Sequence, residues 1–228
     1  MRISHSTLSV LKNFSNINLG LVIDEESSLK TLSPTGSIIA VYDTDEKFPF
    51  FSIWNLPKFN GLIEMMGVEN CEFEFSDTEQ EVTIKSGSRK VKYEYTDASK
   101  MPVFESIKSS AEYKNPNHTY DFYFDLSEED IKEIKKANGI FGFSENLLKI
   151  SMEDGVGKLE LYSSTNETKN NYSIEIDGEG TGEALTKVSD LIMVSGDYKC
   201  SVLLNKMIKY QHKEKPLLYY IRTYLENK

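Results

Sequence analysis

Two cysteines, three histidines and one tryptophan in 228 residues leave little for several kinds of chemistry. Cys71 and Cys200 are too few and too far apart for a disulfide framework or a zinc site, and both read as packing residues of a reducing compartment. His5, His118 and His212 are isolated, and neither a glycine-rich phosphate loop nor an HExxH pattern occurs. Glu153-Asp154 reads as a turn, so the expectation is a protein that is not an enzyme and takes no cofactor and no metal. No apolar run approaches the roughly 20 residues of a membrane-spanning helix, and the opening MRISHSTLSV lacks the apolar centre of a signal peptide. This predicts a soluble, intracellular chain with no membrane partner. Positive charge is scarce too: 26 lysines and arginines face 36 acids, for a net charge of −10. Such a surface repels nucleic acid as a whole, so any DNA binding requires locally segregated charge. Acid is itself missing from one place, because Met1 to Ile23 contain Arg2, His5 and Lys12 but no Asp or Glu.

What is present reads as an α+β protein with alternating strands and a few short helices. Ser4 or Ser6 caps a helix to about Asn16, with Leu8, Val10, Leu11 and Phe14 as its apolar face and Ser9, Lys12, Asn13 and Asn16 opposite. A phosphate backbone could pass that second face without meeting a carboxylate. After a stop at Gly20, LVID, SLKTL and SIIAVYDTD predict an antiparallel meander and FPFFSIW a further strand. Asn55 then caps a second helix with Pro57 in its first turn, Leu56, Phe59, Ile63 and Met66 inward, Lys58 outside that face, and Met65 and Met66 as core filling. The segments CEFEFSD, EVTIKSG and RKVKYEY alternate with period two, as half-buried strands do. Residues 96–117 lose all period and read as an interdomain linker, whose apolar middle (Met101, Val103, Phe104, Ile107) lies on a sheet and rims a pocket or tacks the linker down.

The second half restarts the same order. TYDFYFDL leads to LSEEDIKEIKKANGIFGF, residues 126–143, in which Ser127 and Asp130 make a capping-box pattern and Gly139 a stop. Ile131, Ile134 and Ala137 share one side of this helix, with Lys132, Lys135 and Lys136 beside them as a basic flank. A strand near IFGFS, LLKISMED, a turn at Gly155-Val-Gly157, KLELYSS, NNYSIEID, a turn from Gly178 to Gly182 and ALTKV follow. A short helix VSDLIMVSG capped by Ser189 and three last strands complete the chain. The halves read as diverged copies, 1–109 and 118–228, with antiparallel sheets on the outside and four helices along one face.

Residues 4 to 20, SHSTLSVLKNFSNINLG, resemble the opening helix of the sliding clamps of T-even-type bacteriophages, above all in Leu11-Lys12-Asn13-Phe14 with Ile17-Asn18. The segment WNLPKFNGLIEMM and the total length are similar too; beyond Glu69 only the order of elements agrees. The resemblance implies two clamp-type domains per chain, closed as a homotrimer into a ring around duplex DNA. It also implies a clamp loader that opens the ring, and a DNA polymerase and late-transcription factors that dock on it in the cytoplasm of the infected bacterial host. Carried over to this sequence, Lys12, Lys58, Lys132, Lys135 and Lys136 would face DNA. Met101, Val103, Phe104, Tyr224 and Leu225 would form the pocket for partner peptides. The competing expectation is an acidic two-domain binding module that recognises a peptide or sugar without encircling DNA.

Overall fold

A computed structural model describes residues 1–23, 27–67, 71–76, 80–94, 101, 119–142, 146–162 and 172–225. The chain divides into two compact units, Met1–Ala111 and Glu112–Lys228. In the first, Ser4 caps α1 (His5–Ile17) by accepting from the Thr7 N–H, and the apolar stripe of Leu8, Val10, Leu11 and Phe14 is buried. The helix ends earlier than Gly20: Asn18 is the C-cap, and its side-chain oxygen accepts the Gly20 N–H at 2.9 Å.

The expected meander is instead two separate ladders, β2 (Ser28–Leu32) with β3 (Ile38–Asp43) and β1 (Leu21–Ile23) with β4 (Phe51–Ile53). FPFFSIW is extended over only three residues, after which Asn55 caps α2 (Leu56–Met66) by accepting the Lys58 N–H at 2.9 Å. Leu56, Phe59, Ile63 and Met66 are buried as the periodicity requires. Met65 is not core filling, being 60% exposed. The three alternating segments form the antiparallel sheet of β5 (Glu72–Phe75), β6 (Glu81–Ser86) and β7 (Arg89–Glu94). Phe51, Phe59, Phe73, Phe75 and Tyr93 pack as tilted and edge-on rings, at centroid separations of 5.1 Å for Phe59–Tyr93 and for Phe51–Phe75. The linker read at 96–117 lies outside the described residues except for Met101.

In the second unit, β8 (Phe122–Leu126) leads into α3 (Glu128–Phe141), where Ser127 and Asp130 complete the capping box in both directions. The helix does not stop at Gly139. It runs on through Ile140 and Phe141, where a strand was expected, and ends at Gly142 in the left-handed conformation that glycine adopts without steric cost. Replacing Ser127 by alanine removes the side-chain acceptor of the cap, and a loss of about 1 kcal/mol is expected, read as a lower urea midpoint.

Asp154-Gly155 alone turns β9 (Leu147–Glu153) into β10 (Val156–Tyr162), so Val156 and Gly157 belong to the strand. β11 (Ser173–Gly180) likewise absorbs Gly178 and Gly180, leaving Thr181 as the link to β12 (Gly182–Lys187). The segment VSDLIMVSG is not a Ser189-capped helix: only a 3₁₀ turn forms, Val188–Asp190, with no side-chain cap. Its backbone is claimed from outside. Tyr198 Oη donates to the Val194 carbonyl at 2.5 Å, Tyr219 Oη accepts the Val194 N–H at 3.2 Å, and His212 Nε2 lies 3.2 Å from the Ser195 carbonyl. His212 Nδ1 accepts the N–H groups of Glu214 and Lys215, which makes Nε2–H the donor to Ser195. Of the four expected helices, three are present among the described residues.

β13 (Tyr198–Leu203), β14 (Met207–His212) and β15 (Leu217–Arg222) complete an antiparallel order β12-β9-β10-β11-β8-β13-β14-β15. The duplication is visible in the pairings of each unit. β1 pairs with β4 as β9 does with β12, β2 with β3 as β10 with β11, and β5-β6-β7 repeats as β13-β14-β15. Even β8 has its counterpart: Met1 exchanges both backbone hydrogen bonds with Phe73 at 2.8 Å, as β8 pairs with β13.

Candidate nucleic-acid interface

α1 and α2 pack side by side, and Asn60, the one polar residue on the buried face of α2, ties them by donating its amide to the Leu11 carbonyl at 3.1 Å. One residue beyond Leu11 and one turn beyond Asn60, Lys12 Nζ meets Glu64 Oε1 at 2.5 Å across the two helices. Lys58, in the first turn of α2, is exposed and makes no ion pair among the described residues. In the second unit all three candidate lysines are exposed on α3. Lys132 is bonded to Glu128 one turn back at 2.5 Å. Lys135 and Lys136 make no ion pair among the described residues, and partial burial pulls the Lys135 ammonium below the usual lysine range. Glu133 is engaged elsewhere, accepting from the Tyr172 hydroxyl at 2.7 Å.

The acid-free N-terminus is held by a distant carboxylate. Glu46, on the chain after β3, accepts the Ser4 N–H at 2.7 Å and the Thr7 hydroxyl at 2.9 Å, and bonds Thr44 as well. It supplies the negative charge that the first turn of α1 lacks and that a helix N-terminus favours. Burial alone would raise the Glu46 carboxyl; the hydrogen bonds from Ser4 and Thr7 outweigh it and leave the group below the ordinary value. A lowered carboxyl stabilises the fold above the pH where the unfolded chain titrates, about 4.3, and that stability is lost as pH falls through the folded value. Glu46→Gln should therefore flatten the acid side of the first unit's stability profile, with urea midpoints converging on those of the parent as pH falls through the folded value of Glu46.

Arg89 of β7 contributes a cation that the sequence reading missed: its guanidinium donates to the Met65 and Met66 carbonyls at 3.4 and 3.2 Å, closing the C-terminal end of α2. Nothing in RKVKYEY alone singles out that arginine, because its target is a main-chain carbonyl of another element. Asn60 did carry a signal, as a polar side chain on an otherwise apolar helical face.

For the expected peptide pocket, Met101 is buried rather than rim-forming: it is 4% exposed, and its methyl group would lie 2.4 Å from a Cβ at Gly20. Tyr224 is half-buried, with Lys187 Nζ 5.4 Å from its ring centroid and its N–H bonded to the Leu185 carbonyl, while Leu225 is 57% exposed. Val103 and Phe104 lie outside the described residues.

No family model matches the chain. Two solved structures cover nearly all of it: the PCNA2-PCNA3 complex of Sulfolobus tokodaii, with TM-score 0.65 over 95% of this chain and 94% of that one at 14% identity, and proliferating cellular nuclear antigen of Entamoeba histolytica, with TM-score 0.68 over 96% and 94% at 13% identity. They establish the fold. In sequence, the sliding clamp of Vibrio phage KVP40 is 28% identical over 208 residues, which is 89% of this chain and 90% of the relative. Over most of its length the chain is similar to a phage sliding clamp. The resemblance first read from residues 4–20 thus extends through most of the chain, including the part after Glu69 where only the order of elements agreed. The candidate lysines of this chain sit on α1, α2 and α3, and α1 has no acidic residue at all.

Proposed function

We propose that the chain is the protomer of a DNA sliding clamp, which encircles duplex DNA and tethers the replicative DNA polymerase for processive synthesis. The observation that carries this reading is the similarity to a phage sliding clamp along most of the chain, joined to lysines on three helices of an acidic protein. The helices α1, α2 and α3 present Lys12, Lys58, Lys132, Lys135 and Lys136, which offset the carboxylates of Glu64, Glu128, Glu129, Asp130 and Glu133 on the same helices, while the chain as a whole carries a net charge of −10. Weak lysine–phosphate contacts screened by salt hold a duplex centred and let it slide. The acidic remainder discourages side-on binding. Function then resides in topology, and no bond is made or broken.

Residues 1–109 and 118–228 serve as the two clamp domains, and three copies close the ring. Head-to-tail closure needs unpaired strand edges, and β7 and the first half of β11 are among the strand segments paired on one side only among the described residues. Lys90 and Lys92 lie with Glu94 on one face of β7, Lys92 being bonded to Glu81 at 2.6 Å, and Glu175, Asp177 and Glu179 lie on one face of β11, so Lys90 is the cation that a neighbouring copy's β11 would meet. A clamp loader opens the ring, and the polymerase and late-transcription factors dock short peptides near Tyr224 and Leu225, with Val103 and Phe104 of the linker. The setting is the cytoplasm of a bacterium infected by a phage.

Light scattering across a dilution series at moderate salt tests the reading. The expected mass is three times the 26.1 kDa protomer, falling on dilution. A monomer at every concentration would remove encirclement and leave the acidic binding module as the account of this chain.

A further inference from the structure

Two of the five lysines assigned to DNA are already occupied. Lys12 of α1 is bonded to Glu64 at 2.5 Å, and Lys132 of α3 to Glu128 at 2.5 Å. α1 and α3 occupy the same place in the repeated order of elements, each lying ahead of the strand that opens its four-strand set. Yet the carboxylate arrives by a different route in each: across the α1–α2 contact in the first unit, and from one turn back on the same helix in the second. Lys58, Lys135 and Lys136 have no such partner among the described residues. Side-chain exposures of 48% and 51% for Lys12 and Glu64, and of 68% and 37% for Lys132 and Glu128, leave both pairs in contact with water, where an ion pair is weak and open to exchange.

We infer that Glu64 and Glu128 are positioning residues that compete with DNA phosphates for Lys12 and Lys132, so that each phosphate contact displaces an internal one and the duplex is released as readily as it is held. A carboxylate beside a lysine that has turned to DNA repels the incoming phosphate and recovers the ammonium when the phosphate moves on. The number of counterions released on binding is correspondingly smaller than the number of lysines on the helices. Low affinity and a shallow salt dependence are the consequence. The inference rests on the proposed DNA-facing role of these helices.

The test is fluorescence anisotropy of a short, open-ended labelled duplex with the full-length protein, titrated between about 50 and 200 mM salt, the range over which phosphate contacts lose most of their strength. Glu64→Gln with Glu128→Gln should bind about tenfold more tightly at the lower salt and show a steeper decline, by roughly 0.9 in the logarithmic slope for each additional phosphate neutralised. Glu74→Gln breaks the equally short pair with Lys85 in the β5–β6 sheet, alters net charge in the same sense, and should leave both quantities at the parent's values. A parent that binds duplex, with the Glu64/Glu128 variant no different from Glu74→Gln, overturns the competition while leaving the DNA-binding reading in place. No binding by any of these proteins overturns both. The lysine decides the mechanism: with Lys12→Gln in the background, Glu64→Gln should produce no further gain. A gain that persists without Lys12 would reduce Glu64 to bulk repulsion and overturn its positioning role.

Discussion

Gly180→Ala should unfold the second unit at a clearly lower urea concentration, with a loss of about 2–4 kcal/mol. Gly180 has φ +92°, and a Cβ there would lie 2.4 Å from the Asp121 carbonyl oxygen and 2.8 Å from the Phe122 Cα. Both neighbours are main chain, so no side-chain rotation relieves the contact. The site closes the ladder in which Gly178, Glu179 and Gly180 face Phe124, Tyr123 and Phe122. Opening it would move Phe122, a fully buried ring of the core. Urea unfolding followed by circular dichroism reads the loss. Gly139→Ala is the comparison: Gly139 lies inside α3 with open space around it, and alanine should leave stability unchanged or raise it by up to about 1 kcal/mol. Equal midpoints for the two variants would show that β11 and β8 are not in this register.

Removing the three lysines without carboxylate partners should have the largest effect on DNA. Lys58→Ala, Lys135→Ala and Lys136→Ala together delete cations from α2 and α3 that phosphate meets with no internal competitor. Affinity for a linear duplex should fall at least about tenfold at 50 mM salt, and the logarithmic salt slope should become shallower by roughly 0.9 for each phosphate no longer neutralised. Mass by light scattering should not change, because none of the three lies on a strand edge. Unaltered affinity and slope, in a protein of unaltered mass, would place the DNA path away from these helices. The Lys132→Ala and Lys136→Ala pair is expected to act in the same direction but less, since Lys132 is partly neutralised by Glu128 before DNA arrives.

Much of this architecture was legible from local pattern, and its failures share a cause. The caps Ser4, Asn55 and Ser127 were readable because a cap involves side chain and backbone within three residues. The β5, β6 and β7 alternation was readable because one buried face imposes a period of two. VSDLIMVSG has the composition of a short helix, yet Tyr198 and Tyr219, on strands that follow it, hold both backbone groups of Val194. Burial holds both hydroxyls protonated far above their usual range, so Tyr198 keeps the proton it donates to the Val194 carbonyl while the neutral Tyr219 oxygen accepts the Val194 N–H. The β1–β4 ladder escaped for the same reason, since strand order is a long-range choice that short runs such as LVI and FSI do not encode.

The candidate interface divides along the same line. Which residues are lysines, and which helices carry them with Ile131, Ile134 and Ala137 turned inward, follows from the sequence alone, because helical period sets the faces. Sequence by itself also determined the absence of acid from the first 23 residues. Only the tertiary structure decided that this gap is filled from outside, by Glu46 at the start of α1, and that Lys12 is met by Glu64 through the Asn60–Leu11 contact of two packed helices. Local elements are set by neighbours within a turn. The pairing of charges depends on which helix faces are pressed together, and that is settled when the core closes.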